Sequence, residues 1–527
     1  MNEYRYFHFT LGPVQSFVAQ ARRTRDFWAG SFLLSYFSGV AMLATKEQGG
    51  EIIFPKVDEA FFHAMLGESA DKPKQGNIPN RFKAKVPQDF SPKVVEQAIL
   101  KAWQTLAQCV WDGDLAHLEN SPTQEIWKRQ VENFWEMSWA ISDDASSHDL
   151  LDRRKNWRTH MPPNEPGQKC SLMEGWQELS GNEVAQSKNQ KSFWSDLKEK
   201  SNLGLDMGRN ESLCAIAFIK RRFVYHFENF TCNVNGKTTL KGWKISFNPP
   251  PVSEIADASW EEELSGEKLE KLNKFYAIVM MDGDNLGKHM SNPDLQDTIS
   301  TSLNEFTRGV EKIVVAHDGF LIYAGGDDVL ALLPLEKALS CAAAIRASYE
   351  EAFTKGGKKA IPTSISAAIL CVHAKIPLHN LLHKAHHVLD GIAKEKAGRD
   401  ALAVTVIKPG GEQFTWFQKW NKALDETKSV ILETIAKEQR KLSDDPTFAR
   451  GFFYRIREIL QIVEGVGSEE DKVELLAVEY RAGTDITQEK AKEIIRPLLK
   501  QCTTEKEGLS HDGALLVRFL AQKGETA

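Results

Sequence analysis

Polar and aromatic residues alternate from Tyr4 to Thr10, which is the period of a strand with one buried face. Gly12-Pro13 punctuates it. From Val14 to about Leu43 the period changes: Val14, Phe17, Val18 and Ala21 recur at helical spacing, and Arg22, Arg23, Arg25 and Asp26 supply a polar face. Glu51–Pro55 reads as a second strand, so the chain starts strand, helix, strand.

The pattern changes between residues 95 and 200. Eight of the 13 tryptophans lie between Trp103 and Trp194 among charged helical residues, which predicts a helical insertion anchored by Trp in its core. Aromatic stacking on nucleic acid is the alternative use of the same residues. Met161–Gly167 is a loop. Residues 214–248 look like strands joined at Asn235-Gly236. Pro249-Pro250-Pro251 and the acidic stretch to Glu270 then read as a linker.

Phe275–Met281 is almost wholly apolar and reads as a buried strand. A long helix follows from Leu295 to Ala316, then strands at Phe320–Ala324 and Val329–Leu333 flanking Gly325-Gly326-Asp327-Asp328. Glu336–Phe353 is helical, Ser364–Val372 a strand, Leu378–Lys396 helical and Leu402–Ile407 a strand. The order β-α-β-β-α-β, extended by one helix and strand, predicts a ferredoxin-like split βαβ. From about Phe414 the pattern is helical only. The expected division is 1–95, 96–213, 214–265, 266–412 and 413–527: first domain, insertion, completing strands with linker, second domain and helical C-terminal domain.

Composition narrows the partners. Lys and Arg number 66 against 72 Asp and Glu, so the net charge of −6 argues against a generally basic nucleic-acid coat, though not against a local groove. No stretch reads as a bilayer span and the N-terminus lacks the order of a secretory signal. The seven cysteines are scattered and odd in number, which suits a reducing compartment. The expectation is a cytoplasmic protein with no membrane partner.

Chemistry concentrates in the second half. Asp282 and Asp284 of Met281-Asp282-Gly283-Asp284-Asn285 end a buried strand and fall on one face if the strand continues. A strand-to-loop turn capped by Asp and Asn would use the same residues. In Gly325-Gly326-Asp327-Asp328 the two carboxylates repel, and the glycines leave room for a phosphate or a second backbone. A plain hairpin turn would not need both aspartates. Alternation suggests that Asp327 and Asp328 diverge, one serving as the principal ligand. In a split βαβ the strand of Asp282 lies beside that hairpin, so the carboxylates meet at one edge. An all-oxygen set suits Mg²⁺ or Mn²⁺, and a pair of such ions about 4 Å apart supports nucleotidyl transfer. Lys394 and Lys396 in Ala393–Asp400 can reach a triphosphate, or can simply complement a helix end before Gly398.

These residues resemble the palm of polymerase-like cyclases. The whole chain resembles a narrower family, the large catalytic subunit of type III CRISPR–Cas effector complexes in its Cmr branch. Gly12–Phe17, Ala21–Asp26 and Trp28–Ser31 are similar to that family's first palm, and Tyr323–Asp328 to the catalytic hairpin of its second. The resemblance implies an α+β fold with two ferredoxin-like palms, a helical insertion and a C-terminal helical domain. It implies ATP as substrate, joined by attack of a 3′-hydroxyl on an α-phosphate with release of pyrophosphate, and cyclic oligoadenylate as product. Asp282, Asp327 and Asp328 would be catalytic and metal-holding; Gly283, Asp284, Asn285, Gly325, Gly326, Lys394, Lys396 and Ser31 would bind nucleotide. Guide RNA, target RNA and other Cmr-type subunits would be partners.

Two departures bear on this. Many family members begin with an HD nuclease domain, and here the first palm starts at Met1, while His148-Asp149, His317-Asp318 and His511-Asp512 lie far apart. Cys170-Ser171-Leu172-Met173 resembles half of a four-cysteine zinc knuckle with one cysteine replaced, and Cys214 lies in the following family segment, so no zinc is expected. A free-standing cyclase and a structural subunit that only binds nucleotide remain alternatives.

Overall fold

The computed structural model describes residues 3–522 apart from 57–58, 145–148, 158–159, 185–186, 202, 204–205, 209, 237, 258–273, 355–360, 442–447, 483, 485 and 505–507. Most of the expected linker, from residue 258 onward, and His148 therefore lie outside the described residues. The chain divides into two compact units: Met1–Pro249 with Gly287–Thr307 and Ile322–Gly326, and Pro250–Leu286 with Arg308–Leu321 and Asp327–Ala527.

The first unit contains a four-stranded antiparallel sheet of β1 (Tyr4–Gly12), β2 (Glu51–Phe54), β3 (Arg81–Pro87) and β4 (Glu136–Ser142), in the order β2-β3-β1-β4. Helix α1 (Thr24–Glu47) connects β1 to β2, and α2 (Pro92–Asp114) leads from β3 towards β4. This is a complete split βαβ. Its fourth strand falls inside the stretch expected to be a helical insertion. Met137, Trp139 and Ile141 carry a strand period there that the high Trp density obscured. Trp103 packs edge-on against Phe37 and Trp135 with centroids 5.6 Å away in each case, so the core-anchor reading of the tryptophans holds for it. Trp157, at 79 % exposure, is the opposite case.

Helix α1 is long and apolar enough to cross a membrane by length and composition, contrary to the expectation that no stretch is. Every residue of its most apolar window is buried inside the fold. Trp28, Phe32, Tyr36 and Phe37 spend that apolarity on core contacts.

Residues 215–226, expected as strand, form helix α3 (Ala215–His226). Aromatic and β-branched residues suggested a strand, but tertiary pairing overrides that propensity. Lys220 donates to the carbonyls of Phe17 and Gln20. Arg221 donates to both oxygens of Asp26 and both of Glu211, while Arg222 pairs with Asp114 and Asp206. Burial alone would push the Asp26 carboxyl up, but Arg221 outweighs it and holds it below the usual range. The strands that do follow, β5 (Thr231–Val234) and β6 (Thr238–Lys241), make a separate hairpin whose Asn235 and Gly236 both have positive φ.

In the second unit and its flanking segments, six strands form one sheet: β7 (Phe275–Asp284), β8 (Phe320–Gly325), β9 (Asp328–Pro334), β10 (Ser364–His373), β11 (Ala401–Lys408) and β12 (Gly411–Lys419), in the order β12-β11-β10-β7-β9-β8. Strands β7 to β10 repeat the split βαβ, with α4 (Pro293–Ala316) and α5 (Ala338–Thr354) as the crossovers. Strand β12 lies where only helices were expected after Phe414. Pro409-Gly410-Gly411 turns the chain, and β12 pairs antiparallel with β11. Helix α6 (Leu381–His387) continues as a π-helical segment, Val388–Lys396, packed on β7, β10 and β11. Five further helices, Ile431–Lys441, Phe448–Glu464, Glu469–Arg481, Gln488–Gln501 and Asp512–Ala521, make up most of the C-terminal part.

Replacing Arg221 by Met strands two buried carboxylates. Such breaks cost about 3–5 kcal/mol. Denaturant unfolding of the variant should show a loss of this size at neutral pH. Asp26 and Glu211 have depressed values, so their contribution is present above the ordinary carboxyl range and fades as pH falls through it. The difference between wild type and variant should therefore shrink in acid.

Candidate active site

Strand β7 carries Asp282 to the edge of the core between β9 and β10. Met281 stands opposite Val329, so the next step of the ladder sets Asp282 beside Asp328. The turn from β8 to β9 is only Gly326-Asp327, and Gly326 takes φ +65°, as a two-residue hairpin with Gly first requires. One carboxylate oxygen from each of Asp282, Asp327 and Asp328 lies within 4.8 Å of the others. The expectation that Asp327 and Asp328 diverge fails because Asp327 belongs to the turn, where strand alternation does not apply.

Gly283 makes this convergence possible. A Cβ there would stand 2.8 Å from Cβ and Oδ2 of Asp327 and from the Tyr349 hydroxyl. No side chain larger than hydrogen fits without moving Asp327.

The electrostatics follow from the crowding. Burial, then the neighbouring Asp328 and to a lesser degree Asp284, pushes the Asp327 carboxyl up to about 7. Burial raises Asp328 to about 6, with His386 opposing and Asp390 adding to the shift. The Asp328 side chain is exposed at its surface, so water moderates its share. Lys394 of the π-helical segment places Nζ on Asp282 and has Asp390 as a second partner at 3.7 Å. Burial, then the nearby Arg399, pulls its ammonium down to about 8. Three convergent carboxylates with only oxygen donors suit a hard divalent cation.

The remaining expected residues scatter. Asp284 shares a face of β7 with Asp282, but it is 0 % exposed and turned into β10. It accepts from Ser364 Oγ at 2.7 Å, Ser366 Oγ at 2.9 Å and the Asp400 amide at 3.0 Å, with Arg399 at 3.7 Å. Asn285 has φ +63° and turns the chain out of β7. Lys396 points its Nζ over the Phe417 ring at 4.9 Å. Gly325 ends β8. Ser31 is buried on α1 in the other unit.

Tyr349 and the serine pair Ser364 and Ser366 were missed by sequence reasoning. The Ser-x-Ser spacing on β10, opposite a strand carrying Asp-x-Asp, was the available signal. Tyr349 and Thr363 share a hydrogen bond of 3.0 Å, and Thr363 donates to the Asp284 carbonyl at 2.9 Å. Thr363 also lines a groove of about 970 Å³ with Ile313, Ser348, Glu351 and Phe353. In the first unit, Cys170 and Cys214 are in contact, and Cys170 Sγ accepts the Leu172 and Met173 amides at 3.3 Å each.

The two split βαβ domains and the carboxylate cluster define an α+β protein of the polymerase/cyclase palm class. Residues 275–403 match the family described as Cas10/Cmr2, second palm domain, and residues 6–108 match the N-terminal family of CRISPR-associated protein Cmr2. A curated relative, CRISPR system Cmr subunit Cmr2 of Pyrococcus furiosus, is 25 % identical over 77 % of this chain and 62 % of its own length. The chain thus spans less than two thirds of that relative. Two cryo-EM structures of type III-B Cmr-beta share the fold: the apo state, with 12 % identity and 82 % of that chain covered, and the complex with cognate target RNA, with 13 % and 83 %. Each has a TM-score of 0.70 and covers 100 % of this chain. Within the palm class, residues 6–108 and 275–403 are thus similar to the Cas10/Cmr2 families of the Cmr branch.

The raised carboxyls set a pH dependence. Asp327 and Asp328 keep protons in the fold that the unfolded chain would release near the ordinary pKa of about 4. Their contribution to stability is complete below that value and lost as pH rises through about 6 to 7. Without divalent ions, the melting temperature should fall by several degrees across that window. Millimolar Mg²⁺ should restore it, and Asp327→Asn should flatten the profile. A flat wild-type profile would show that the carboxylates do not crowd one another.

Proposed function

We propose that this chain is the nucleotidyl-transferring subunit of a type III RNA-guided antiviral complex. It takes ATP, releases pyrophosphate, and makes a cyclic oligoadenylate or a related adenylyl second messenger. The observation that carries this reading is the convergence of Asp282, Asp327 and Asp328 beside Lys394 on a palm sheet.

Asp282, Asp327 and Asp328 would hold Mg²⁺ or Mn²⁺, which when bound polarises an attacking 3′-hydroxyl and stabilises the leaving pyrophosphate. Lys394 supplies a point charge for the triphosphate. Gly283, Gly325 and Gly326 keep side chains out of the approach of the phosphates, and the groove beside Thr363 has room for a nucleoside. Asn285 and Lys396 border the triphosphate, and Ser31 belongs to a second nucleotide site on the first palm. The Cmr subunit relative and the RNA-bound Cmr-beta structure support guide RNA, target RNA and other Cmr-type subunits as partners. The protein acts in the cytoplasm without a membrane partner or a structural zinc ion.

Two nucleotides must be held in line for the reaction, and orientation removes much of its barrier. Target RNA acts by favouring the competent arrangement, and it shifts that population only by its differential affinity. Mass spectrometry of products from ATP should therefore show little turnover by the chain alone and more by the guide-loaded complex. The highest turnover should come once matching RNA is bound. Equal rates in all three would favour a free-standing cyclase. Asp327→Ala with Asp328→Ala should lower product more than about 100-fold while assembly is kept. Full product from the double variant would refute the site. Gly283→Ala should also lower product, because its methyl displaces Asp327 or the Tyr349 hydroxyl.

A further inference from the structure

Asp284 sits two residues beyond Asp282 on β7, yet it is completely enclosed. A buried carboxylate is tolerated only when hydrogen bonds and charge satisfy it. Both serine hydroxyls of β10 and the Asp400 amide do so, with Arg399 nearby. Its Oδ2 accepts from these hydroxyls and this amide, its Oδ1 lies 3.0 Å from Ser366 Oγ and 3.7 Å from Arg399, and it has no solvent-open face.

The Asp400 amide explains what this carboxylate does. Gly398, Arg399 and Asp400 have φ of +81°, +68° and +43°, three consecutive residues in the left-handed region. Non-glycine residues resist that region unless their surroundings impose it. Here the surroundings do. Lys419 donates to the carbonyls of Gly398 and Arg399 at 2.6 Å each. Arg346 holds the Asp400 side chain at 3.1 Å, and the Trp420 amide donates to the Asp400 carbonyl at 2.9 Å. The turn in its own right stops the π-helical segment, through the Arg399 amide donating to the Ala393 carbonyl at 3.1 Å. Such π-helical turns are frequent at functional sites. This one carries Lys394, seated on Asp282. The segment and its turn are thus tied to β7 at two points, Lys394 on Asp282 and the Asp400 amide on Asp284.

We propose that Asp284 is a positioning residue. It clamps the Gly398–Asp400 turn to β7 and so fixes Lys394 over the carboxylate cluster, and it holds neither metal nor nucleotide itself. The inference rests on the palm nucleotidyltransferase reading and replaces the expectation that Asp284 binds nucleotide.

The test uses the full chain and four variants: Asp284→Asn, Lys394→Met, their combination, and Asp282→Asn. Calorimetry reads Mg²⁺ alone and ATP with Mg²⁺; product formation and melting are followed in parallel. Asp284→Asn should keep Mg²⁺ binding, which Asp282→Asn loses, and should weaken ATP binding about tenfold, as Lys394→Met does. The combined variant should be no worse than Lys394→Met, because both changes remove one interaction. Multiplying effects, loss of Mg²⁺ binding by Asp284→Asn, or ATP binding unchanged by it would each overturn the clamp. If Asp284→Asn does not fold, Ser366→Ala takes its place in the same cycle. Absence of ATP binding by the wild type would instead overturn the palm reading on which the clamp depends.

Discussion

Mutual repulsion of three carboxylates held at one edge of a sheet is the constraint around which the second unit is built. Nothing in a hairpin forbids two adjacent aspartates from turning apart. They cannot do so here, because the register of β7 with β9 and β10 is set by hydrogen bonds along almost the whole strand. Gly283 removes the one atom that would have pushed Asp327 aside. The backbone thus fixes the unfavourable charge, which a positive group beside it would relieve. Lys394 supplies part of that relief within the protein, on the same carboxylate that completes the cluster.

The first unit uses the same residue types to the opposite end. Asp26, Glu211, Asp114 and Asp206 are buried, and Arg221 and Arg222 meet them with full sets of hydrogen bonds. Asp26, Glu211 and Asp114 are held low, whereas Asp327 and Asp328 are raised. A charge that is already matched has nothing to offer a ligand, so that network holds α1, α3 and the segment around Phe17 in place. The direction of the shift thus distinguishes the matched acids from the crowded ones.

Most of the second palm was legible because its strands are long, apolar and punctuated by glycine or proline. Phe275–Met281 and Ser364–Val372 are of this kind, and their neighbours followed from the order of elements. The cluster itself was legible as composition, since two separate acidic motifs ended two buried strands. Its geometry was not, since the turn position of Asp327 defeats a rule made for strands. In the first half, Ala215–His226 misled because its helix is stabilised by partners up to about 200 residues away in sequence, such as Asp26 and Gln20. Local propensity carries no trace of those. Strand β4 was hidden for a related reason: Trp residues that serve the core of α2 also dominate the composition around it. The role of Asp284 depended on Ser364, Ser366 and Asp400, and no spacing rule links the last of these to β7.

The two palms share one topology but only one of them can assemble acids in this way. Third from the end of β7 stands Asp282; third from the end of β1 stands Thr10, a neutral hydroxyl paired with Asn80 at 3.2 Å. The second palm joins its middle strands by Gly326-Asp327, whereas β2 and β3 are separated by the run from Pro55 to Asn80, which contains a helix, Glu59–Leu66. No tight turn therefore presents side chains beside the end of β1. The two palms repeat the sheet and its crossovers, while the acid cluster depends on a two-residue turn and one strand-end side chain. The first palm has neither, so under the proposed function its contribution would come from binding and orientation, the part of the barrier that position alone can remove.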